Sequence, residues 1–258
     1  MTRWHLRLLL LFLASFSLSL VVHLPASLAL SWAGPALQRS GLSLAGAGTS
    51  GTVWQGQVDN ITYRRLDISR VAWEWQAADL LRGVIGTALH VSLPGAGNHQ
   101  LGADIEFDPF GGQLAVSSLQ GSADLSIASK LGLVPPELVS GELLINIRSL
   151  VVENGVPIAI DGQGALENLG NLYLPGIPLG SYQARLTTEG NTLVGRFSDL
   201  DAPVETRGEV TLAPDGRYQL TARLRPRENA APILVSGLDF LGPADNDGFK
   251  TFKTAGRL

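Results

Sequence analysis

Short runs in which apolar and polar residues alternate, broken by turn residues about every ten positions, constrain this chain more than any other feature. In residues 51–61, Val53, Gln55, Gln57 and Asp59 fall on one face, and Thr52, Trp54, Gly56 and Val58 on the other. Residues 66–75 set Leu66, Ile68, Arg70, Ala72 and Glu74 against Asp67, Ser69, Val71, Trp73 and Trp75. A period of two is that of a strand. Similar runs cover 87–93, 100–108, 113–127, 141–152, 159–166, 181–189, 192–199, 205–212, 217–225 and 249–258. The breaks between them include Pro94-Gly95-Ala96-Gly97-Asn98, Asp108-Pro109-Phe110-Gly111-Gly112, Glu153-Asn154-Gly155, Glu189-Gly190-Asn191, Pro214-Asp215-Gly216 and Asn246-Asp247-Gly248. Glycine and asparagine tolerate the positive φ of tight hairpins, so the spacing predicts successive antiparallel hairpins.

Helix signals are confined to 77–82, 127–133 and 229–241. No helices alternate with the strands, which excludes doubly wound and barrel α/β folds. Ten or more strands cannot stay flat and open. The expected fold is therefore all-β: a long, strongly curved antiparallel meander, a half-barrel or flattened sandwich, with a few short helices. Gly56, Gly164, Gly195 and Gly208 inside strands are expected to mark bulges or sharp bends. Both sides of Pro135-Pro136 read as glycine-punctuated hairpins, which allows a loose two-part division there, but no linker is long or polar enough to make the halves independent. Trp54, with glycine close on either side, reads as a core residue of a strand, its ring or a neighbouring one filling the space a glycine leaves, with a stacking platform for a ligand as the alternative.

The N-terminus has a different pattern. After Arg3 and Arg7, residues 8–30 carry His23 as their only ionisable side chain. As one helix this run is roughly 35 Å long at about 1.5 Å per residue, enough for a bilayer core of about 30 Å. The next cation is Arg39, so the positive-inside bias puts the N-terminus in the cytoplasm and the body outside it. A cleaved signal peptide ending near Ser31-Trp32-Ala33 is the competing reading. The organisation expected is a cytoplasmic tail 1–7, a transmembrane anchor 8–30, a linker 31–50 and a β-rich exported domain 51–258.

Composition removes several functions. The 258 residues carry a net charge of -4, without the basic footprint of a nucleic-acid binder. No cysteine is present, so disulfides, thiolate nucleophiles and cysteine-ligated metals are ruled out. His90 and His99 are the only histidines outside the N-terminal segment; no paired metal-ligand spacing occurs, and both read as surface or edge residues. Asp104, Glu106 and Asp108 share a strand face, and Asp245-Asn246-Asp247-Gly248 resembles the opening of a calcium loop without its distal glutamate. Both read better as a wet sheet face and a turn. Gly46-Ala47-Gly48-Thr49-Ser50-Gly51 lacks the Lys-Ser or Lys-Thr of a phosphate loop. Arg223 and Arg225 share a strand face that could meet an acidic partner or a lipid headgroup, or simply face solvent. No nucleophile and base converge, so no catalytic, cofactor-binding or metal-binding residues and no cofactor are expected.

The order of features resembles the type II secretion system protein N family. The stretches that carry the resemblance are Leu24-Pro25-Ala26-Ser27, Gly51-Thr52-Val53-Trp54-Gln55-Gly56, a tryptophan-bearing strand closing in Leu80-Leu81-Arg82-Gly83, and Leu212-Ala213-Pro214-Asp215-Gly216-Arg217-Tyr218-Gln219-Leu220. Ala222-Arg223-Leu224-Arg225-Pro226 and the run from Leu241-Gly242-Pro243 to Gly256-Arg257-Leu258 complete the pattern. The resemblance implies a single-pass protein of the Gram-negative inner membrane with a periplasmic body. Its implied partners are other components of the machine that moves folded proteins across the outer membrane, with no chemistry and no small-molecule substrate assigned. A membrane-anchored periplasmic protein binding lipid or glycan in an apolar groove is the alternative.

Overall fold

The computed structural model describes all residues except 1–2, 64–65, 81, 95–98, 131–139, 172–173, 175 and 258. The apolar N-terminal run does not form one helix. Helix α1 spans Arg3–Val22 and helix α2 spans Ala26–Arg39, with a break at His23 and Leu24. Pro25 causes it: it disfavours helical backbone at Leu24, and it sits extended (φ -64, ψ 138) as the N-cap of α2. The uncharged part of α1, residues 8–22, is about 22 Å long at roughly 1.5 Å per residue, short of a bilayer core of about 30 Å. No helix among the described residues is long and apolar enough to cross a membrane, so the expected single span over 8–30 is corrected to two helices. Residues 31–50, expected as a linker, hold the end of α2 and two short strands, β1 (Leu42–Ser43) and β2 (Gly48–Gly51).

The body is one antiparallel sheet. Its strands are β3 (Gln55–Tyr63), β4 (Leu66–Trp75), β5 (Ile85–Ser92), β6 (Gln100–Asp108), β7 (Gln113–Asp124), β8 (Ser140–Glu153) and β9 (Val156–Gly170). Then follow β10 (Pro178–Glu189), β11 (Thr192–Asp199), β12 (Val204–Leu212), β13 (Arg217–Pro226) and β14 (Lys250–Arg257). From β3 onward each strand pairs with the next in sequence, and β1 and β2 both pair with β3. Short helices α3 (Ala77–Leu80), α4 (Ser126–Lys130) and α5 (Pro232–Asp239) sit in the connections. Among the described residues β14 does not pair with β1 or β2, so they show no closure of the sheet. Pro135-Pro136, where the sequence allows a loose division, lies outside the described residues; β7 and β8 pair on either side of it, and the sheet is continuous there.

Turn chemistry sets the register. Asn154 (φ 51) and Gly155 (φ 82) close the two-residue β8–β9 loop with the two positive φ values that a I′ turn needs. The irregularities lie elsewhere than expected. Asn60 (φ 58), Ser118 (φ 53) and Asn168 (φ 52) are left-handed residues inside strands, and the last two fall where the pairing register shifts. Such bulges bend a strand and increase its twist.

Candidate functional site

Following the register from strand to strand separates the two faces of the sheet. One row runs Val58, Val71, Val91, Leu101, Gly121, Ile145, Gly164, Ala184, Phe197, Gly208, Ala222 and Phe252, from β3 to β14 without a polar residue. The adjacent row, on the opposite face, runs Gln57, Ala72, His90, Gly102, Gln120, Asn146, Gln163, Arg185, Arg196, Glu209, Thr221 and Lys253. The apolar face is incompletely covered. The chain exposes 16383 Å², whereas a compact monomer of this length is expected to expose about 11,000 Å². Of the twelve residues in the apolar row, only Val58 and Ala222 are fully buried.

The in-strand glycines serve this face. A Cβ on Gly56 would lie 2.7 Å from the Trp73 ring, one on Gly208 2.2 Å from the Phe197 ring, and one on Gly195 2.8 Å from Val210. Each glycine seats a large side chain of the neighbouring strand, in unbroken register, which corrects the expectation of bulges at these positions. Gly164 has no such occupant; its nearest neighbour would be the Leu144 carbonyl at 3.3 Å. Beside Ala184 it forms the floor of an apolar pocket of about 620 Å³, walled by Ile145, Ile147, Leu186 and Phe197.

Trp54 has a role that strand periodicity does not predict. It lies in the bend between β2 and β3, is half-buried, and its Nε1–H donates to the Val21 carbonyl at 2.9 Å, one of the last carbonyls of α1. Val53 N–H donates to Leu24 O (3.0 Å), Pro25 bridges Thr52, and Trp75 meets the Trp54 ring edge-on at 6.4 Å. The GTVWQG stretch thus clamps the α1–α2 junction to the sheet, and the expectation of Trp54 as a strand core residue is corrected. Trp73 takes the place over glycine, with its Nε1–H on Val53 O (2.8 Å).

Most of the polar candidates are engaged within the chain. Glu205, 8% exposed, accepts from Arg207 Nη2 (2.6 Å) and from Arg225 Nε (3.1 Å). Phe249 packs under the guanidiniums of Arg225 (4.4 Å) and Arg223 (4.7 Å). The suggested calcium-loop opening is an Asx turn: Asp245 Oδ1 accepts from Asp247 N–H and Phe249 N–H, and its Oδ2 pairs with Arg223 at 2.6 Å. Along β6, Glu106 reaches Arg82 at 3.4 Å, and Asp108 Oδ1 accepts from Phe110 N–H. His90 lies over Gly102; His99, expected at the surface, is buried with its Nδ1 3.2 Å from Ser122 Oγ. Among the described residues no group of three or more His, Asp or Glu is placed to hold a metal ion.

These pairings act on acid stability. The Arg225 hydrogen bond holds the Glu205 carboxyl below its ordinary 4.5, and the Arg223 hydrogen bond holds Asp245 below 3.8. The Arg217 backbone N–H does the same for Asp215, and the Arg196 side chain for Glu189. A depressed folded value means the unfolded chain takes up protons first, so this stabilisation is full above the ordinary values and is lost as pH falls through the folded ones. We expect a melting temperature that is nearly level from pH 7 to about 5 and falls below about 4.5. Arg225→Gln is expected to lower the plateau and flatten the fall, as read by thermal melts of the full chain in detergent across pH.

The model of the family described as type II secretion system (T2SS), protein N, matches residues 40–252. The type II secretion system protein N of Vibrio cholerae is 26% identical over 252 residues, covering 96% of this chain and 97% of that one. The protein of the same name in Aeromonas hydrophila is 25% identical over 221 residues, with 82% and 83% covered, and that of Pectobacterium carotovorum 22% identical over 214 residues. No solved structure matches significantly. The matched segment begins at the end of α2 and takes in the sheet from β1 into β14, most of the chain, and the chain therefore belongs to the type II secretion system protein N family.

Proposed function

We propose that the chain is a non-enzymatic structural component of the type II secretion system, with its sheet in the periplasm and α1 seated in the inner membrane. Family membership carries the reading. The engagement of Glu106, Glu205 and Asp245 by arginines supports a binding role, because carboxylates held in ion pairs are poorly placed to exchange protons with a substrate.

Membrane seating is supported by α1 itself. Leu8 to Leu13, Phe16 and Leu20 to Val22 are exposed around the helix, and a helix apolar all round belongs in hydrocarbon or in a core. The shortfall in its length is within what local thinning and snorkelling of flanking residues accommodate. Arg3 and Arg7 precede the apolar stretch, which favours a cytoplasmic N-terminus. Partner subunits are expected at the exposed edge of β14, which pairs only with β13 among the described residues; an added strand satisfies free backbone groups.

The test is deletion of the gene and complementation with a tagged chain. Secreted proteins are expected to accumulate in the periplasm of the deletion strain, and other secretion components to copurify with the tagged chain from solubilised inner membrane. Normal secretion together with no copurifying component would refute the assignment.

A further inference from the structure

We propose that the apolar pocket over Gly164 and Ala184 holds the acyl chain of a phospholipid. The first argument is the absence of hydrogen-bonding capacity in its lining. The Thr206 hydroxyl donates to Val204 O (3.1 Å) and the Tyr182 hydroxyl to Leu179 O (2.9 Å), so the two polar side chains that line the pocket from the apolar face are turned to their own chain. Gln163, on the polar row, and Gln183, in the same alternation beside Ala184, place their side chains on the other face. An extended peptide would leave backbone groups unpaired there, whereas hydrocarbon loses nothing.

The second argument is shape. The walls, Ile145 on β8 and Phe197 on β11, stand three strand spacings apart across the floor of Gly164 and Ala184, about 14 Å backbone to backbone. Each wall occupies the width of its own strand, so the free width over the two floor strands is about 9.5 Å, narrower than a helix of about 10–12 Å diameter. A hydrocarbon chain reaches the floor. The volume, about 620 Å³, is in the range of sites that enclose small apolar ligands. Supply of the lipid rests on the membrane seating of α1 proposed above, which places the sheet beside a bilayer.

The probe is a phospholipid with a diazirine near the end of one acyl chain, included in vesicles of phosphatidylethanolamine and phosphatidylglycerol carrying the full chain. After irradiation, labelled residues are mapped by mass spectrometry. Labels are expected on Ile145, Leu186 and Phe197 as well as on α1, and not on Asn146, Gln163 or Arg185 of the polar face. Ala184→Leu fills the floor and is expected to cut pocket labelling about tenfold, the loss for roughly two displaced methylenes, while α1 labelling stays. Ala184→Val, a smaller filler, gives an intermediate loss and guards against misfolding of the first variant. Labels on α1 alone, pocket labelling unchanged in both variants, or a partner polypeptide crosslinked in the pocket would each overturn the proposal. Pocket labels without α1 labels would instead uphold the lipid site and refute the seating of α1.

Discussion

Gly208→Ala is expected to lower stability by about 3 kcal/mol, at the upper end of what an overpacked core position costs. The added Cβ would lie 2.2 Å from Phe197 Cζ and 2.7 Å from the Thr221 carbonyl. Phe197 can turn aside only by abandoning the wall of the apolar pocket, and Thr221 belongs to β13, paired with β12 on one side and β14 on the other. In a chain of this length the loss corresponds to a melting temperature lower by roughly 6–12 °C. Adding Phe197→Ala should recover part of it, with a coupling of about 1–2 kcal/mol, because one clash is removed and the clash with the carbonyl remains. The same change at Gly237, in α5 with nothing within 4 Å of the new Cβ, is expected to be neutral or to stabilise by up to about 1 kcal/mol. Thermal melts of the full-length variants in detergent check all three. Equal losses at Gly208 and Gly237 would show that the Phe197 seat is not what requires glycine at position 208.

That contrast marks where the sequence is legible. Strand periods and turn residues locate elements closely: β4, β6 and β11 have the bounds read from alternation, because alternation is the direct trace of a sheet with one apolar and one polar face. Why Gly56 and Gly208 are glycine is not legible, since it depends on which large side chain the register brings opposite, Trp73 or Phe197, and register is a property of the paired strands. The bulges at Ser118 and Asn168 are hidden for the same reason: they belong to the pairing of two strands, and nothing local distinguishes these residues from their neighbours.

The N-terminal run shows the opposite failure. Hydropathy summed over residues 8–30 passes smoothly across Pro25, whereas the backbone does not. The signal available was local, a histidine and a proline in sequence with a tryptophan-bearing turn thirty residues on. Its meaning, an indole N–H capping the end of α1, appears only when the two are brought together. The candidate pocket was legible as a tendency, an apolar and glycine-punctuated sheet, but its place was not. Only the register shows that Gly164 alone among the in-strand glycines singled out lacks a large side chain above it.

Asp199→Ala is expected to be among the most damaging substitutions in the chain, at about 2–4 kcal/mol, from a buried N–H left without its acceptor and the loss of a charge pair with a partly exposed arginine. The Asp199 side chain is 3% exposed and ends β11. Its Oδ1 accepts from Thr206 N–H (2.7 Å) and its Oδ2 pairs with Arg227 Nη2 (2.7 Å), while Arg227 also donates to the Ala202 carbonyl. One carboxylate therefore joins β11, the 200–203 connection, the start of β12 and the residue after β13. Alanine leaves the buried Thr206 N–H without its acceptor and Arg227 without its counter-charge, two losses that share one cause. Asp199→Asn separates them: its side-chain oxygen can still accept from Thr206 N–H, so it should cost less than alanine, with the difference measuring the N–H bond. If Asn and Ala melt alike, the ion pair carries the whole effect; if Asn melts like the parent, the backbone hydrogen bond does. Because this carboxylate and Thr206 lie on the apolar face at the pocket end of β12, the alanine variant should also loosen the Phe197 wall, read as faster amide exchange in β11 and β12 than in β3 and β4.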